Sequence, residues 1–300
     1  MAGIIRRCSG SCRKVTEQGA WEGEAPWYAG ELALARFRVL EREGRYQEYL
    51  YLAEAEGQMG PYVTMLARLG RVGEAVEEGL KYLSTADEIL ALAKELRERD
   101  ELSAALRVAE HGLVLGGARG ALATWLCDLA SGVGEIGLAL GAARVAFQAD
   151  PSLSAYLRVQ ELAGDRWLEL REDLLTHLRR DRSFYSGAQV DVFLHEGLLD
   201  DAIAAVERGA GYADLERVMD AVVEYRPDWV IRAARRQAER IIEAGRAKYY
   251  HHAVDWLARA RAAYQAAGRE AEWQAHLGEI RTRHGRKYKL MGMLKGFGER

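Results

Sequence analysis

Six short stretches decide the fold. Gly44-Arg-Tyr-Gln-Glu-Tyr49, Gly70-Arg-Val-Gly-Glu-Ala75, Asp100-Glu-Leu-Ser-Ala-Ala105 and Gly197-Leu-Leu-Asp-Asp-Ala202 share one form. Gly164-Asp-Arg-Trp-Leu-Glu169 and Gly268-Arg-Glu-Ala-Glu-Trp273 follow it more loosely. Each opens on a residue suited to ending a helix, and five of the six place Ala or an aromatic side chain five positions on. That later position lies in the first turn of a following helix and faces back, where Ala lets antiparallel helices approach closely. The steps from Gly44 to Gly70 and from Gly70 to Asp100 are 26 and 30 residues, so the repeat is degenerate.

Outward from these breaks, helical signals follow one another from about residue 30. Ala, Leu, Glu and Arg dominate, and period-two runs of β-branched residues are absent. Pro61, Pro151 and Pro227 each stand where a helix opens, and Asp150 is the expected N-cap of the helix after Pro151. The expected fold is all-α: an α-α superhelix, a TPR-like helical-repeat solenoid in which hairpins bury a stripe against their neighbours. Residues 1–25 read as a flexible tail, and 26–300 as a single helical repeat domain. Trp125, Trp167, Trp229, Trp256 and Trp273 are expected in packing positions, and Cys127 as a buried thiol.

The 300 residues carry 42 basic and 45 acidic side chains, a net charge of -3. Residues 226–300 hold 17 Arg and Lys against 8 Asp and Glu, so the remaining 225 residues carry -12 and the basic C-terminal third +9. Polarity of this kind bears on partners rather than on fold. Arg outnumbers Lys 35 to 7 and Asn is absent, which fits a GC-rich genome or a hot habitat. Three Cys (Cys8, Cys12 and Cys127) are too few for a disulfide framework. No run of 18 apolar residues exists, and no apolar core follows the N-terminal charges, so a cytoplasmic protein is expected.

The basic end holds the candidate binding residues. Arg232, Arg236 and Arg240, four apart, form a ridge on one face of a helix over 227–243 whose other face carries Val230, Ala234, Ala238 and Ile241. Arg235 and Glu239 are expected to pair across one turn. Arg281, Arg283, Arg286, Lys287 and Lys289, with Tyr288 among them, form the densest basic cluster and resemble a phosphate-contacting segment. A helix over 246–267 should bury Tyr249, Trp256, Leu257 and Tyr264 and align His251, Asp255 and Arg259 on its outer side. His251 and Asp255 are so spaced that they could be two metal ligands on one helix face, but no third ligand is visible nearby, and a surface pairing is expected. In the last helix His284 shares the stripe of Trp273, Leu277 and Ile280 and is expected as a boundary histidine.

Several segments resemble the helical region of bacterial SWIM zinc-finger proteins: Tyr51-Leu-Ala-Glu-Ala-Glu-Gly57, Val63-Thr-Met-Leu-Ala-Arg-Leu-Gly70, Ser84-Thr-Ala-Asp-Glu-Ile-Leu90 and Tyr225-Arg-Pro-Asp-Trp229. Lys248-Tyr-Tyr-His-His-Ala-Val-Asp-Trp256 with His284-Gly-Arg-Lys-Tyr-Lys-Leu290 is the most specific match. The resemblance spans about residues 30–295 and implies a nucleic-acid-associated or protein-interaction role. The SWIM pattern is C-x-C followed by C-x-H. Cys8 and Cys12 are spaced C-x3-C, and no C-x-H follows, so no zinc site is carried over. The chain is therefore expected to be a non-catalytic protein-interaction scaffold with no cofactor and no metal. The alternatives are nucleic-acid binding through the basic C-terminal helices, or an enzyme with a pocket near 249–284.

Overall fold

The computed structural model describes residues 27, 29–181, 187–209 and 211–297. The expected N-terminal tail, with Cys8 and Cys12, lies outside the described residues. The chain divides into two compact units, Met1–Leu174 and Leu175–Arg300. Unit one holds α1 (Ala29–Arg42), α2 (Tyr46–Ala55), α3 (Met59–Arg68), α4 (Val72–Tyr82), α5 (Ala86–Glu98), α6 (Leu102–Gly112), α7 (Arg119–Gly132), α8 (Ile136–Ala149) and α9 (Leu153–Ala163). The division falls within α10 (Trp167–Arg180). Unit two holds α11 (Gly187–His195), α12 (Leu199–Arg208), α13 (Tyr212–Val222), α14 (Pro227–Glu243), α15 (Tyr250–Ala266), α16 (Glu270–His284) and α17 (Tyr288–Leu294). Among the described residues there is no strand, only an isolated bridge between Thr85 and Gly116. The fold is an all-α helical repeat.

The quoted breaks all end helices, and most of them do so in one way. Gly44, Gly57, Gly70, Asp100, Gly134, Gly197 and Gly268 have φ between 60° and 83°. At each, the next residue's N–H donates to the carbonyl five residues back: Arg45 to Leu40 (2.9 Å), Arg71 to Leu66 (3.0 Å), Leu198 to Phe193 (2.8 Å) and Arg269 to Tyr264 (2.9 Å) are examples. This is the Schellman arrangement, in which a left-handed residue satisfies carbonyls the helix end leaves unpaired. The following helix begins two residues after the left-handed one. Helix end and helix start therefore share one tight corner, and the core residues sit at fixed offsets from it. Four positions before the turn lie Leu40, Ala53, Leu66, Leu96, Ala130, Phe193 and Tyr264, all buried. Five positions after it lie Tyr49, Ala75, Ala105, Ala139, Ala202 and Trp273, also buried. Gly57 is followed at that offset by Tyr62, which is half-buried.

Gly164 does not belong to the series. Its backbone (φ 50°, ψ -126°) leads into a 3-10 turn over Gly164–Arg166, and Glu169 is exposed. The N-cap of α9 is Ser152 rather than Asp150: its hydroxyl accepts from the Ala155 N–H at 3.1 Å, because Pro151 holds the chain extended for one residue more. Pro227 is the first residue of α14, as expected.

Three corners carry the same ionic fork. In Gly44-Arg-x-x-Glu48, Gly70-Arg-x-x-Glu74 and Gly268-Arg-x-x-Glu272 the Arg directly after the left-handed Gly reaches across the first turn to the Glu. Nε and Nη2 bind the two carboxylate oxygens, at 2.8 and 2.6 Å for Arg45 and at 2.7 and 2.6 Å for Arg269. The planar guanidinium matches a carboxylate in this bidentate way, and a Glu in the first turn also favours the helix dipole. Other arginines tie neighbouring helices. Arg68 of α3 binds Glu95 of α5 at 2.9 Å and also Glu41 of α1. Arg226 grips Asp200 of α12 through Nε and Nη2 at 3.0 and 2.9 Å.

In unit one, helices pack against the next helix and the next but one, as with α3 against α4 and α5, or α5 against α6 and α7. Small residues permit this. A methyl group on Gly112 of α6 would lie 2.5 Å from both Ile89 Cγ2 and Leu122 Cδ2. Gly141 of α8, by contrast, has open space around its Cβ position. Gly-to-Ala substitution in a helix normally stabilises by about 0.5–1 kcal/mol. Gly141→Ala should therefore raise the melting temperature. Gly112→Ala should lower it, since overpacking costs about 1–3 kcal/mol and outweighs the propensity gain. Asp100, the one non-glycine in a left-handed conformation among the described residues, should gain about 1 kcal/mol as Asp100→Gly. Thermal melts followed by circular dichroism check all three.

Candidate interaction surface and cleft of the C-terminal helices

Pro227 starts α14 at its own preferred φ, and the helix then runs for 17 residues. Trp229, Val230, Ala234, Ala238 and Ile242 are buried on one side. Ile241, expected in that stripe, is half-buried, and Ile242 takes the core position; the true helical period moves the stripe by one residue at the end of the helix. Arg232, Arg236 and Arg240 are exposed along the opposite face, and no ion pair or hydrogen bond engages them among the described residues. The Arg235–Glu239 pair is not formed. Arg235 Nη1 instead donates to the Tyr264 hydroxyl on α15 at 3.2 Å, because position 235 turns toward that helix.

The second basic cluster is split by the chain's own needs. Lys287 is half-buried and its Nζ donates to the Ile242 carbonyl at 2.8 Å, capping the C-terminal end of α14. It also stands 5.9 Å from the Tyr250 ring centre. Arg281 Nη2 donates to the Leu294 carbonyl at the end of α17 (3.2 Å). Arg283 Nη2 binds Glu243 at 3.0 Å. Arg286 and Lys289 are exposed, and so is Tyr288, at 83%. Of eight basic side chains singled out in the sequence, three do internal work and the α14 ridge is left free.

In α15 the core residue is Tyr250, not Tyr249. Gly245 ends α14 in the left-handed region, a 3-10 turn over Ala247–Tyr249 follows, and the aromatic five positions after Gly245 is the buried one. His251 does not pair with Asp255. His252 Nδ1 stands 3.9 Å from Asp255, and the His251 ring lies 3.9 Å from the His252 ring. Arg259 reaches α13, with Glu216 at 3.4 Å and Asp220 at 3.2 Å. Among the described residues no three His, Cys, Asp or Glu side chains are grouped to hold a metal.

The buried histidine is His276, which the sequence reading passed over. It is 4% exposed, while His284 is half-buried. The signal was present, since 273, 276, 277 and 280 follow the helical stripe spacing of i, i+3, i+4 and i+7. His276 carries both imidazole nitrogens out of solvent and without a hydrogen-bond partner, and the Trp273 Nε1 behind it is likewise unpartnered. Glu279 stands 3.8 Å from its Nδ1, too far for a hydrogen bond. In front lies an open cleft of about 480 Å³ between α14 and α16, walled by Glu239, Ile242, Glu279, Ile280 and Arg283 with His276 and His284. Burial pushes the pKa of His276 down, and Arg235 pushes it further, against Glu279 and Glu239. Burial does the same to His284, followed by Lys287 and Arg283.

No family model and no curated protein matches the chain. No helix among the described residues is long and apolar enough to cross a membrane.

The two histidines make stability depend on pH with a definite sign. Unfolded, each takes up a proton near pH 6.5, and folded only at lower pH. Their contribution is full above about pH 6.5 and is lost as the pH falls below that toward the folded values. The melting temperature should therefore drop between about pH 7 and 5.5. His276→Phe should flatten part of that drop, and a slope identical to the parent chain's would show that His276 does not report on folding.

Proposed function

We propose that this protein is a non-catalytic interaction scaffold that meets an acidic partner protein through the arginine ridge of α14. The observation that carries the reading is the free state of Arg232, Arg236 and Arg240, set against the many arginines of this chain that are forked or bridged. Like charges four apart on one helix repel by a few tenths of a kcal/mol per pair. An anionic surface laid along the ridge converts that repulsion into attraction and speeds encounter. The tightly cornered hairpins supply a rigid, TPR-like support, and α15 packs along the buried side of α14. The resemblance to the helical part of SWIM zinc-finger proteins agrees with a role of this kind.

A second reading has one observation in its favour. Exposed Arg286, Tyr288 and Lys289 add an aromatic platform and two cations to the same unit, the combination that holds single-stranded nucleic acid.

Binding experiments on the full chain separate the two. A glutamate-rich peptide and a single-stranded oligonucleotide are titrated at several salt concentrations. In the scaffold reading the peptide binds, and replacing Arg232, Arg236 and Arg240 with Ala abolishes its binding. In the nucleic-acid reading the oligonucleotide binds and the plot of log affinity against log salt becomes shallower by about 2 to 3 in the same triple variant, each lost phosphate contact contributing about 0.7–0.9. Unchanged affinity of the triple variant for whichever ligand binds would refute the assignment to the ridge. Turnover of a substrate by the purified chain would refute the non-catalytic reading.

A further inference from the structure

We infer that the element of the partner seated on the arginine ridge is an α-helix carrying three acidic side chains, one at every fourth position. The inference rests on the acidic-partner reading above and adds the register and the length of the anionic run. Of the 17 residues of α14 only Asp228, Arg232, Arg236, Arg240 and Glu243 are exposed. The positions on either side of each arginine are buried (Ile231 and Ala233) or half-buried (Arg235, Gln237, Glu239 and Ile241). The helix therefore shows a single file of charge, one residue wide, rather than a broad basic patch.

The spacing of that file fits a second helix. With a rise of about 1.5 Å per residue, the three arginines stand about 6 Å apart along the axis. Residues four apart form a row inclined about 26° to a helix axis, and two such rows run side by side when the helices cross at about -50°. A helix with Glu or Asp at i, i+4 and i+8 thus lays one carboxylate beside each guanidinium. Its backbone groups are already paired with one another, which matters where α14 offers side chains and no strand edge.

The ends of the file set its length. Asp228, one turn before Arg232, and Glu243, just past Arg240, are carboxylates bound to Arg269 and Arg283. A polyanion that runs on past three charges meets acids at both ends, so a nucleic-acid backbone matches the strip less well than a run of three. The acidic stretch α11 to α13 of a second copy matches poorly for another reason. Its Asp191, Asp200, Asp201, Asp214, Glu216 and Asp220 are each bound to an arginine already.

NMR titration of the full chain with alanine-rich peptides of about 20 residues, long enough to be helical in water, tests the register. Low ionic strength keeps the surface charges least screened. One peptide has three Glu at every fourth position; the second has the same composition with Glu at every fifth, which scatters them round the helix. Circular dichroism checks that the two are equally helical. The first should bind at least about fivefold tighter, the size expected for two exposed ion pairs, and should shift the Nε–H resonances of Arg232, Arg236 and Arg240. A central proline, which breaks its helix, should weaken it, and lengthening the file to five Glu should not tighten it. Replacing the three exposed arginines with Ala should make the two peptides bind alike. Equal affinity of the two peptides for the unmodified chain overturns the inference and leaves the acidic-partner reading standing. Failure of these peptides and of the glutamate-rich peptide to bind removes both. Tighter binding of the single-stranded oligonucleotide at the same salt, or self-association of the chain that the triple variant abolishes, overturns the inference by giving the ridge a different occupant.

Discussion

Every hairpin built on the recurring corner depends on one backbone event, the step into the left-handed region that ends a helix. Gly44, Gly57, Gly70, Asp100, Gly134, Gly197 and Gly268 take that step with nearly the same φ. The step turns the next N–H back onto the carbonyl five residues earlier, so a helix end that would otherwise leave polar groups bare is closed within two residues. Because the corner is so short, a buried residue of one helix sits at -4 from it and, at every corner but Gly57, a buried residue of the next sits at +5. Packing between the paired helices then follows from side-chain size at those offsets. Ala75, Ala105, Ala139 and Ala202 occupy the later offset in four of these corners, and the larger Tyr49 and Trp273 in two others.

Charge is organised around the same corners. The Arg that follows the left-handed Gly in three of them forks onto a Glu in the next first turn, and arginines elsewhere bridge to carboxylates one or two helices away. Exposed pairs of this type contribute about 0–1 kcal/mol each, so their effect is to fix orientation rather than to hold the fold. By engaging most cations near them they leave the α14 ridge as a set of charges with no partner among the described residues. Lys287 is the clearest contrast: a lysine in the densest basic run, whose ammonium is used to cap α14 from inside. Counting charge along the sequence treats it as equal to Arg236, and the structure does not.

Much of the fold was legible because it is written in local terms. A left-handed residue needs Gly or a short polar side chain, and a close helix pair needs a small residue near the helix start. Both conditions fall within six positions of each other. Gly134-x4-Ala139 and Gly245-x4-Tyr250 satisfy the same rule and are legible from it alone. Gly164 satisfied the first half of it and belongs to a different turn, since Glu169 cannot be buried at the offset that Ala or an aromatic occupies. The candidate site was less legible. His276 could have been placed on the apolar stripe by spacing alone, but its lack of partners depends on where α14 lies.

The sequence by itself determined the all-α class, the places where helices stop, the polarised charge and the exposed arginine ridge. These are one-dimensional properties, set by backbone preference and by a period of 3.6 residues. Tertiary structure decided which charges remain available and which polar groups are stranded. Lys287 meets Ile242 across 45 positions, Arg283 meets Glu243 across 40, and Arg235 meets Tyr264 across 29. Contacts at such separations depend on how whole helices pack, and no local pattern encodes them. The cleft in front of His276 exists for the same reason: its walls come from two helices that are neighbours only in space.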